Sequence, residues 1–263
     1  MGLDFEVKKP IIGVIHLNPL PGSPRFRSLE KVIETAKHDA EKLNMAGIDG
    51  LIVENYGDIP FKKEIDELTV SAMTELISEI KSGIDKPIGI NVLRNDWRSA
   101  LSISKVLELD FIRVNCYCGV TLTDQGMIEG EAGKIQRFKE NFDIEAKVMA
   151  DIQVKHAKKL YPTDLLTEAK EASERGLADA LIVSGERTGE KPQVKEIKRV
   201  KEKTKVPVIV GSGLDKSNYQ KLLSASDGAI IGTHFKEDGI TSNPVCLEKV
   251  ESFMRKADEL RQR

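Results

Sequence analysis

The sequence predicts an α/β fold, a single closed (β/α)8 barrel, and three observations carry that expectation. Eight short apolar runs recur every twenty to forty residues or so, segments with helical spacing separate them, and polar residues or glycines follow every run. Near-continuous apolar strands alternating with amphipathic helices indicate a parallel sheet covered by helices, because half-solvated antiparallel strands would alternate polar and apolar residues. Eight units favour closure, with an open doubly wound sheet as the alternative. The length of 263 residues matches the usual size of such a barrel, so one domain over residues 1–263 is expected.

The elements follow in order. Ile11 to Ile15 is the first candidate strand, opened by Pro10, and Val32, Ile33, Ala36, Ala40 and Leu43 then form an apolar helical stripe. Leu51 to Val53 is the second, and Met73, Leu76, Ile77 and Ile80 make the next stripe. Ile88 to Val92, Phe111 to Val114, Ala146 to Ala150, Ala180 to Val183, Val208 to Val210 and Ala229 to Ile231 complete the eight. Asp49, Asp110, Asp179 and Asp227 stand just ahead of strands two, four, six and eight, whereas Pro10, Pro87 and Pro207 open strands one, three and seven. Proline at a strand's first residue forfeits no essential ladder bond, and aspartate after a helix can hydrogen-bond its own turn backbone, so both residues mark helix-to-strand turns. The long stretches Asn18 to Ser28, Glu54 to Asp66 and Cys116 to Gly130 read as irregular loops beyond strand ends.

Composition narrows the function. Hydrophobic residues at 40% suffice for a core, and 40 Lys plus Arg against 42 Asp plus Glu give a net charge of −2, with no basic field to gather nucleic acid. The Lys and Glu enrichment resembles that of thermophile proteins. Three cysteines, two of them the close pair Cys116 and Cys118, suggest neither a disulfide framework nor a zinc site, which fits a reducing, cytoplasmic setting. No apolar run reaches the length of a membrane span, and the first residues lack a signal-peptide core. No metal or cofactor is required by any motif, and zincin, P-loop and α/β-hydrolase signatures are all missing.

Residues just beyond parallel strands converge on one mouth of a barrel, where such folds place their chemistry. Val208-Ile-Val-Gly-Ser-Gly-Leu-Asp215 and Ala229-Ile-Ile-Gly-Thr233 put Gly211, Ser212 and Gly213 after the seventh strand and Gly232 and Thr233 after the eighth. Glycine lets backbone N–H groups approach an anion, so the two turns form a candidate phosphate cup, to which Ser184 and Gly185 can add a donor. His16, Glu54, Asn115 and Asp151 end other strands, and Lys155 and His156 follow Asp151 closely. Glu54 and Asp151 are candidate acids or bases, and Lys155 is a candidate stabiliser of negative charge.

At this point Gly13-Val-Ile-His-Leu-Asn-Pro-Leu-Pro-Gly-Ser-Pro24, Val53-Glu-Asn-Tyr-Gly-Asp-Ile-Pro-Phe61, Thr123-Asp-Gln-Gly126, Asp151-Ile-Gln-Val-Lys-His-Ala157 and the Gly211 turn together resemble the BtpA/SgcQ family. The resemblance runs from the first strand to the last. It implies a TIM barrel of the ribulose-phosphate-binding type. The family's names come from a photosystem I biogenesis factor in cyanobacteria and a sugar-pathway barrel in enteric bacteria, and neither supplies a reaction. Gln153 stands where the family frequently carries His.

Three functions remain open at this level. The first is an enzyme acting on a phosphorylated sugar or a phosphoribosyl, nucleoside-like molecule by isomerisation, lyase chemistry or glycosidic cleavage. The second is a non-catalytic biogenesis or assembly factor, against which polar groups at all eight strand ends weigh. The third is a phosphate-ligand sensor. Barrels commonly pair through outer helices, which leaves a homo-oligomer open.

Overall fold

The structure is a computed structural model and describes residue 5 and residues 7–152, 158–161, 163–185, 192–215 and 217–262. Its elements run β1 (Ile11–His16), α1 (Leu29–Met45), β2 (Gly50–Glu54), α2 (Glu67–Lys81), β3 (Ile88–Asn91), α3 (Trp97–Leu107) and β4 (Phe111–Val114). They continue with β5 (Val120–Thr123), β6 (Gly126–Glu129), α4 (Ala132–Asn141), β7 (Lys147–Ile152), β8 (Lys158–Lys159) and α5 (Leu165–Lys170), which a turn of π-helix over Glu171–Arg175 extends. The last are β9 (Ala180–Val183), α6 (Val194–Lys203), β10 (Val208–Val210), α7 (Tyr219–Ala225), β11 (Gly228–Ile231) and α8 (Leu247–Arg261).

Eight strands close into a parallel barrel in the order β1, β11, β10, β9, β7, β4, β3, β2, with β2 pairing back to β1. Each of the eight apolar runs supplies one of these strands, and closure excludes the open sheet. Period-two alternation splits the buried residues into two cores. Ile12, Val14, Ile52, Phe111, Met149, Ala180, Ile182, Ile209 and Ile230 fill the barrel, with Phe5 packed against them. The other strand face meets the helices through a larger core that includes Val32, Ala36, Ala40 and Leu43 of α1 and Met73, Leu76, Ile77 and Ile80 of α2. Helix starts are fixed by side-chain caps: Ser28 accepts from the Lys31 amide, Asp66 from Thr69 and Asp96 from Ser99.

The four repeated aspartates act across strands rather than on their own turns, which corrects the expectation from sequence. The amides of Ile11, Ile88, Val148 and Val208 donate to the carboxylates of Asp49, Asp110, Asp179 and Asp227 at 2.7, 2.7, 2.8 and 2.9 Å. Each aspartate's own amide returns a bond to the carbonyl of the same residue, at 2.8 to 3.1 Å. Parallel register sets each aspartate level with the start of the preceding barrel strand, where an amide has no ladder partner, so the carboxylate completes it. Asp179→Ala should therefore lose about 1–3 kcal/mol, the cost of orphaning a buried donor, while Asp179→Asn, which keeps an acceptor, loses less. Urea unfolding of both variants checks this, and equal losses would refute the clamp.

The segment after β4 also departs from expectation. Val120–Thr123 and Gly126–Glu129 form an antiparallel hairpin closed by the pair Thr123 and Gly126, and β8 adds a third strand against β5. Alternating residues around a two-residue turn, with Gly126 at φ +90°, are a hairpin pattern. No described helix is long and apolar enough to cross a membrane.

Candidate functional site

Alternation inside the barrel decides which residues reach its axis. Residues two apart share a face, so continuing the barrel-filling set upward by two from Ile12 and Val14 gives His16. The same step gives Glu54 from Ile52, Arg113 from Phe111, Asp151 from Met149, Gly211 from Ile209 and Gly232 from Ile230. These side chains and glycines line one cavity of about 810 Å³ at the strand C-terminal ends, together with Asn91, Asn115, Tyr56, Phe61, Ser212, Gly213 and Thr233. A larger cavity, about 950 Å³, opens at the opposite end beside Phe5, Asp110 and Lys147, and holds none of the residues singled out for chemistry.

Arg113 organises the floor. Its Nε and Nη2 donate to the two carboxylate oxygens of Asp151, both at 3.1 Å, and Nη1 donates to Glu54 Oε1 at 3.2 Å. Asn115 donates to Asp151 Oδ2 at 2.7 Å, and Asn91 to Glu54 Oε1 at 3.1 Å. The Arg113, Glu54 and Asp151 side chains are 12%, 9% and 5% exposed, so this pairing offsets a substantial desolvation cost. Burial acts to lower the Arg113 pKa, but the adjacent carboxylates of Asp151 and Glu54 outweigh it and carry the value above the usual guanidinium range. Both Asp151 oxygens are engaged, whereas Glu54 Oε2 accepts no hydrogen bond among the described residues. Arg113 stands inside the apolar run Phe111-Ile-Arg-Val114 rather than beyond it, so a search of strand ends does not select it; the charge within that run is its signal in the sequence.

His16 ends β1 with its ring against the backbone of Gly232, where a Cβ would stand 2.5 Å from Cε1. The Tyr56 ring meets it edge-on at 5.0 Å, and its Nε2 lies 3.9 Å from Glu54 Oε2. Burial, helped by the charges of Lys236 and Arg113, pushes the His16 pKa down to about 3, so the contact with Glu54 joins a neutral imidazole to a carboxylate and is no ion pair. Its Nδ1 is buried without a hydrogen-bond partner among the described residues. A folded pKa below the ordinary 6.5 means the unfolded chain binds the proton first. His16 should thus cost no stability above pH 6.5 and progressively more as pH falls toward 3. Urea midpoints across that range should fall more for the parent protein than for His16→Gln, and parallel curves would count against a neutral His16.

The glycine turns lie beside this floor. A Cβ on Gly211 would clash with Ile182, come within 2.6 Å of Ser184 Oγ and reach 3.7 Å from Arg113 Nη2. The Gly211 amide is committed to Val183 O at 2.9 Å, while those of Ser212 and Gly213 carry no hydrogen bond among the described residues. Gly213 has φ +75°, a left-handed conformation that favours glycine. Asn218 braces the turn, donating to Gly213 O at 2.7 Å and accepting from the Asp215 amide at 2.9 Å. Thr233 opens a 3-10 turn, and its hydroxyl pairs with that of Thr241 at 2.9 Å. Ser184 and Gly185 are not among the residues that line the cavity; Ser184, two residues beyond the barrel-filling Ile182, has its Oγ 2.6 Å from where a Gly211 Cβ would stand, buried and without a partner among the described residues. Gln153, Lys155 and His156 lie outside the described residues. No group of three or more His, Cys, Asp or Glu among the described residues is arranged to hold a metal ion.

The model of the BtpA family matches residues 7–259, almost the entire chain. The chain belongs to the BtpA family. A relative named photosystem I biogenesis protein BtpA, from Synechocystis, is 40% identical over 95% of this BtpA-family chain and 88% of its own. A Methanocaldococcus jannaschii relative described only as an uncharacterized protein is 43% identical over 97% of both chains. Among solved structures, (S)-3-O-geranylgeranylglyceryl phosphate synthase from Thermoplasma acidophilum, in complex with sn-glycerol-1-phosphate, superposes with a TM-score of 0.60 at 22% identity over 95% of this chain and 94% of that one. Thiamine phosphate pyrophosphorylase from Pyrococcus furiosus gives a TM-score of 0.60 at 12% identity over 96% of each. At these identities the two structures establish a shared fold and leave the chemistry to the site.

Proposed function

We propose that this BtpA-family protein is an enzyme acting by acid–base chemistry on a phosphorylated sugar or a phosphoribosyl, nucleoside-like molecule, as an isomerase, a lyase or a glycosidic-bond-cleaving enzyme. One observation carries the reading: the Gly211–Gly213 and Gly232–Thr233 turns line the same cavity as the buried Glu54, Arg113 and Asp151 cluster. A phosphate held by the Ser212 and Gly213 amides and the Thr233 hydroxyl would anchor the substrate, and its remote binding energy would orient the reacting carbon over the carboxylates. Gly211 and Gly232 belong to the same two turns in this reading, and Ser184 and Gly185 are candidates for a further donor beside the first.

Glu54 is the proton acceptor this reading prefers, because its Oε2 takes no hydrogen bond among the described residues. Asp151 shares the acid–base work under the grip of Arg113 and Asn115. His16, held neutral, is a hydrogen-bonding group rather than a cation. Lys155 is assigned to negative charge that develops on the substrate or leaving group. Two neighbours with this fold are named for phosphorylated compounds, which supports the same substrate class.

Inorganic phosphate, ribose 5-phosphate and other sugar phosphates should each raise the melting temperature of the purified protein, and unphosphorylated sugars should not. A ligand that stabilises is then followed for product by mass spectrometry. Equal shifts with and without the phosphate group would overturn the anchor. The name of the Synechocystis relative favours a second reading, a non-catalytic biogenesis factor. Recovery of a stoichiometric protein partner, with no response to any phosphate ligand, would establish that reading instead.

A further inference from the structure

We infer that the substrate carries a planar heterocycle on its phosphorylated sugar and that the bond broken is the C–N glycosidic bond between them. This inference rests on the phosphate reading above and is carried by the two parts of the cavity that reading leaves unused.

The first is an aromatic flank. From His16 the Tyr56 ring stands edge-on at 5.0 Å and 71°, and Phe61 follows at 6.5 Å and 60°, on the loop after β2. Ile59, Leu93 and Ile240 line the cavity with them. A stepped aromatic and aliphatic surface suits a flat ring with an apolar face, since offset and edge-to-face contacts reward such a ring beyond its buried area. An open-chain sugar phosphate presents hydroxyl groups along its length and has no flat face to offer.

The second is the sign of the charge on the axis. Two carboxylates share one guanidinium there, and Arg113 spends Nε, Nη1 and Nη2 on them. The three groups sum to one negative charge in a floor about nine-tenths shielded from solvent. Arg94 also lines the cavity, on the loop after β3, and the negative charges of Asp151 and Asp124 act on it. The two carboxylates stabilise positive charge that develops directly over them, and an oxocarbenium-like sugar ring is the transition state that generates it. Enediolate or aldol chemistry would instead build negative charge over the two carboxylates.

The step balances with water as the second reactant. The oxygen of water bonds to the anomeric carbon, the C–N bond breaks, and its electron pair leaves with the ring nitrogen. Glu54 takes a proton from the attacking water, and that proton passes to the departing nitrogen. A nucleoside 5′-phosphate plus water gives ribose 5-phosphate plus the free base, with no change of oxidation state. Glu54 and Asp151 are the catalytic residues of this step, and Tyr56 and Phe61 set its specificity.

The 263-residue chain is tested with inosine and adenosine 5′-monophosphates, ribose 5-phosphate, an iminoribitol 5-phosphate that is cationic in its ring, and the anionic hydroxamate of a five-carbon sugar phosphate. Free base and ribose 5-phosphate should appear from a nucleotide, and the cationic analogue should bind at least about tenfold more tightly than ribose 5-phosphate. A Tyr56→Ala, Phe61→Ala double variant should lose about tenfold in affinity for the nucleotide, with ribose 5-phosphate binding retained as proof that it folds. Tighter binding of the hydroxamate than of the cation, equal losses for both ligands in the double variant, or nucleotide binding without cleavage would each overturn the inference while leaving the phosphate site standing. No response to ribose 5-phosphate or to inorganic phosphate would instead overturn the phosphate reading, and this inference with it.

Discussion

Replacing Arg113 by methionine should destabilise the protein by about 3–5 kcal/mol, the range for removing one partner of a buried ion pair. The change keeps much of the side-chain volume, so the loss comes from charge. Glu54 and Asp151 would be left side by side, with Asn91 and Asn115 the only side chains among the described residues still donating hydrogen bonds to them. Two uncompensated carboxylates raise each other's pKa, so the variant should recover stability as the pH is lowered and one of them takes up a proton. Adding Glu54→Gln and Asp151→Asn to Arg113→Met should restore part of the loss at neutral pH. Arg113→Lys should not, because an ammonium group cannot make the bidentate contact with Asp151 together with the bond to Glu54. Urea unfolding of the three variants at neutral and acidic pH measures each effect. A loss independent of pH and unrelieved by the neutral triple variant would mean that Arg113 acts through packing alone.

The second large effect is catalytic. With a substrate identified, Glu54→Gln should lower turnover by about 10²–10⁴, the usual contribution of a positioned proton acceptor. Glu54→Gln retains an oxygen for Arg113 Nη1 and Asn91, and Asp151 keeps its two-point hold on the guanidinium. The stabilisation of the protein by ribose 5-phosphate should therefore survive, since the proposed phosphate cup lies on the loops after β10 and β11. Asp151→Asn should also lower turnover, and its effect should extend to stability, because it weakens both contacts to Arg113 and the bond from Asn115. Single-turnover rates with melting temperatures separate the two cases. Undiminished turnover in Glu54→Gln would remove Glu54 from the chemistry.

Much of the fold was legible in the sequence because barrel strands and their helices are written locally. The apolar runs are continuous since both strand faces are buried, and the stripes Val32 to Leu43 and Met73 to Ile80 repeat at the helical period. The Pro and Asp markers at strand starts were readable as well, although the target of the aspartates was not. A carboxylate's partner on a neighbouring strand depends on register, which residue spacing along one strand does not specify. The hairpin over Val120–Glu129 has a local signature of its own in Thr123-Asp-Gln-Gly126, although the lack of a continuous apolar run makes the stretch read as loop.

The site divides along the same line. His16, Glu54, Asn115 and Asp151 could be singled out because each ends an apolar run, and the glycine turns because glycine after a strand is a local pattern. Local sequence by itself determined the barrel class, the strand and helix positions and the mouth at which polar groups gather. Tertiary structure alone decided that Arg113 joins Glu54 to Asp151, that His16 is neutral, that Gly211 commits its amide to Val183, and that Ser184 Oγ is buried against Gly211. The physical reason is that charge compensation, desolvation and hydrogen-bond commitment are properties of groups brought together from strands tens of residues apart. They exist only once the barrel closes.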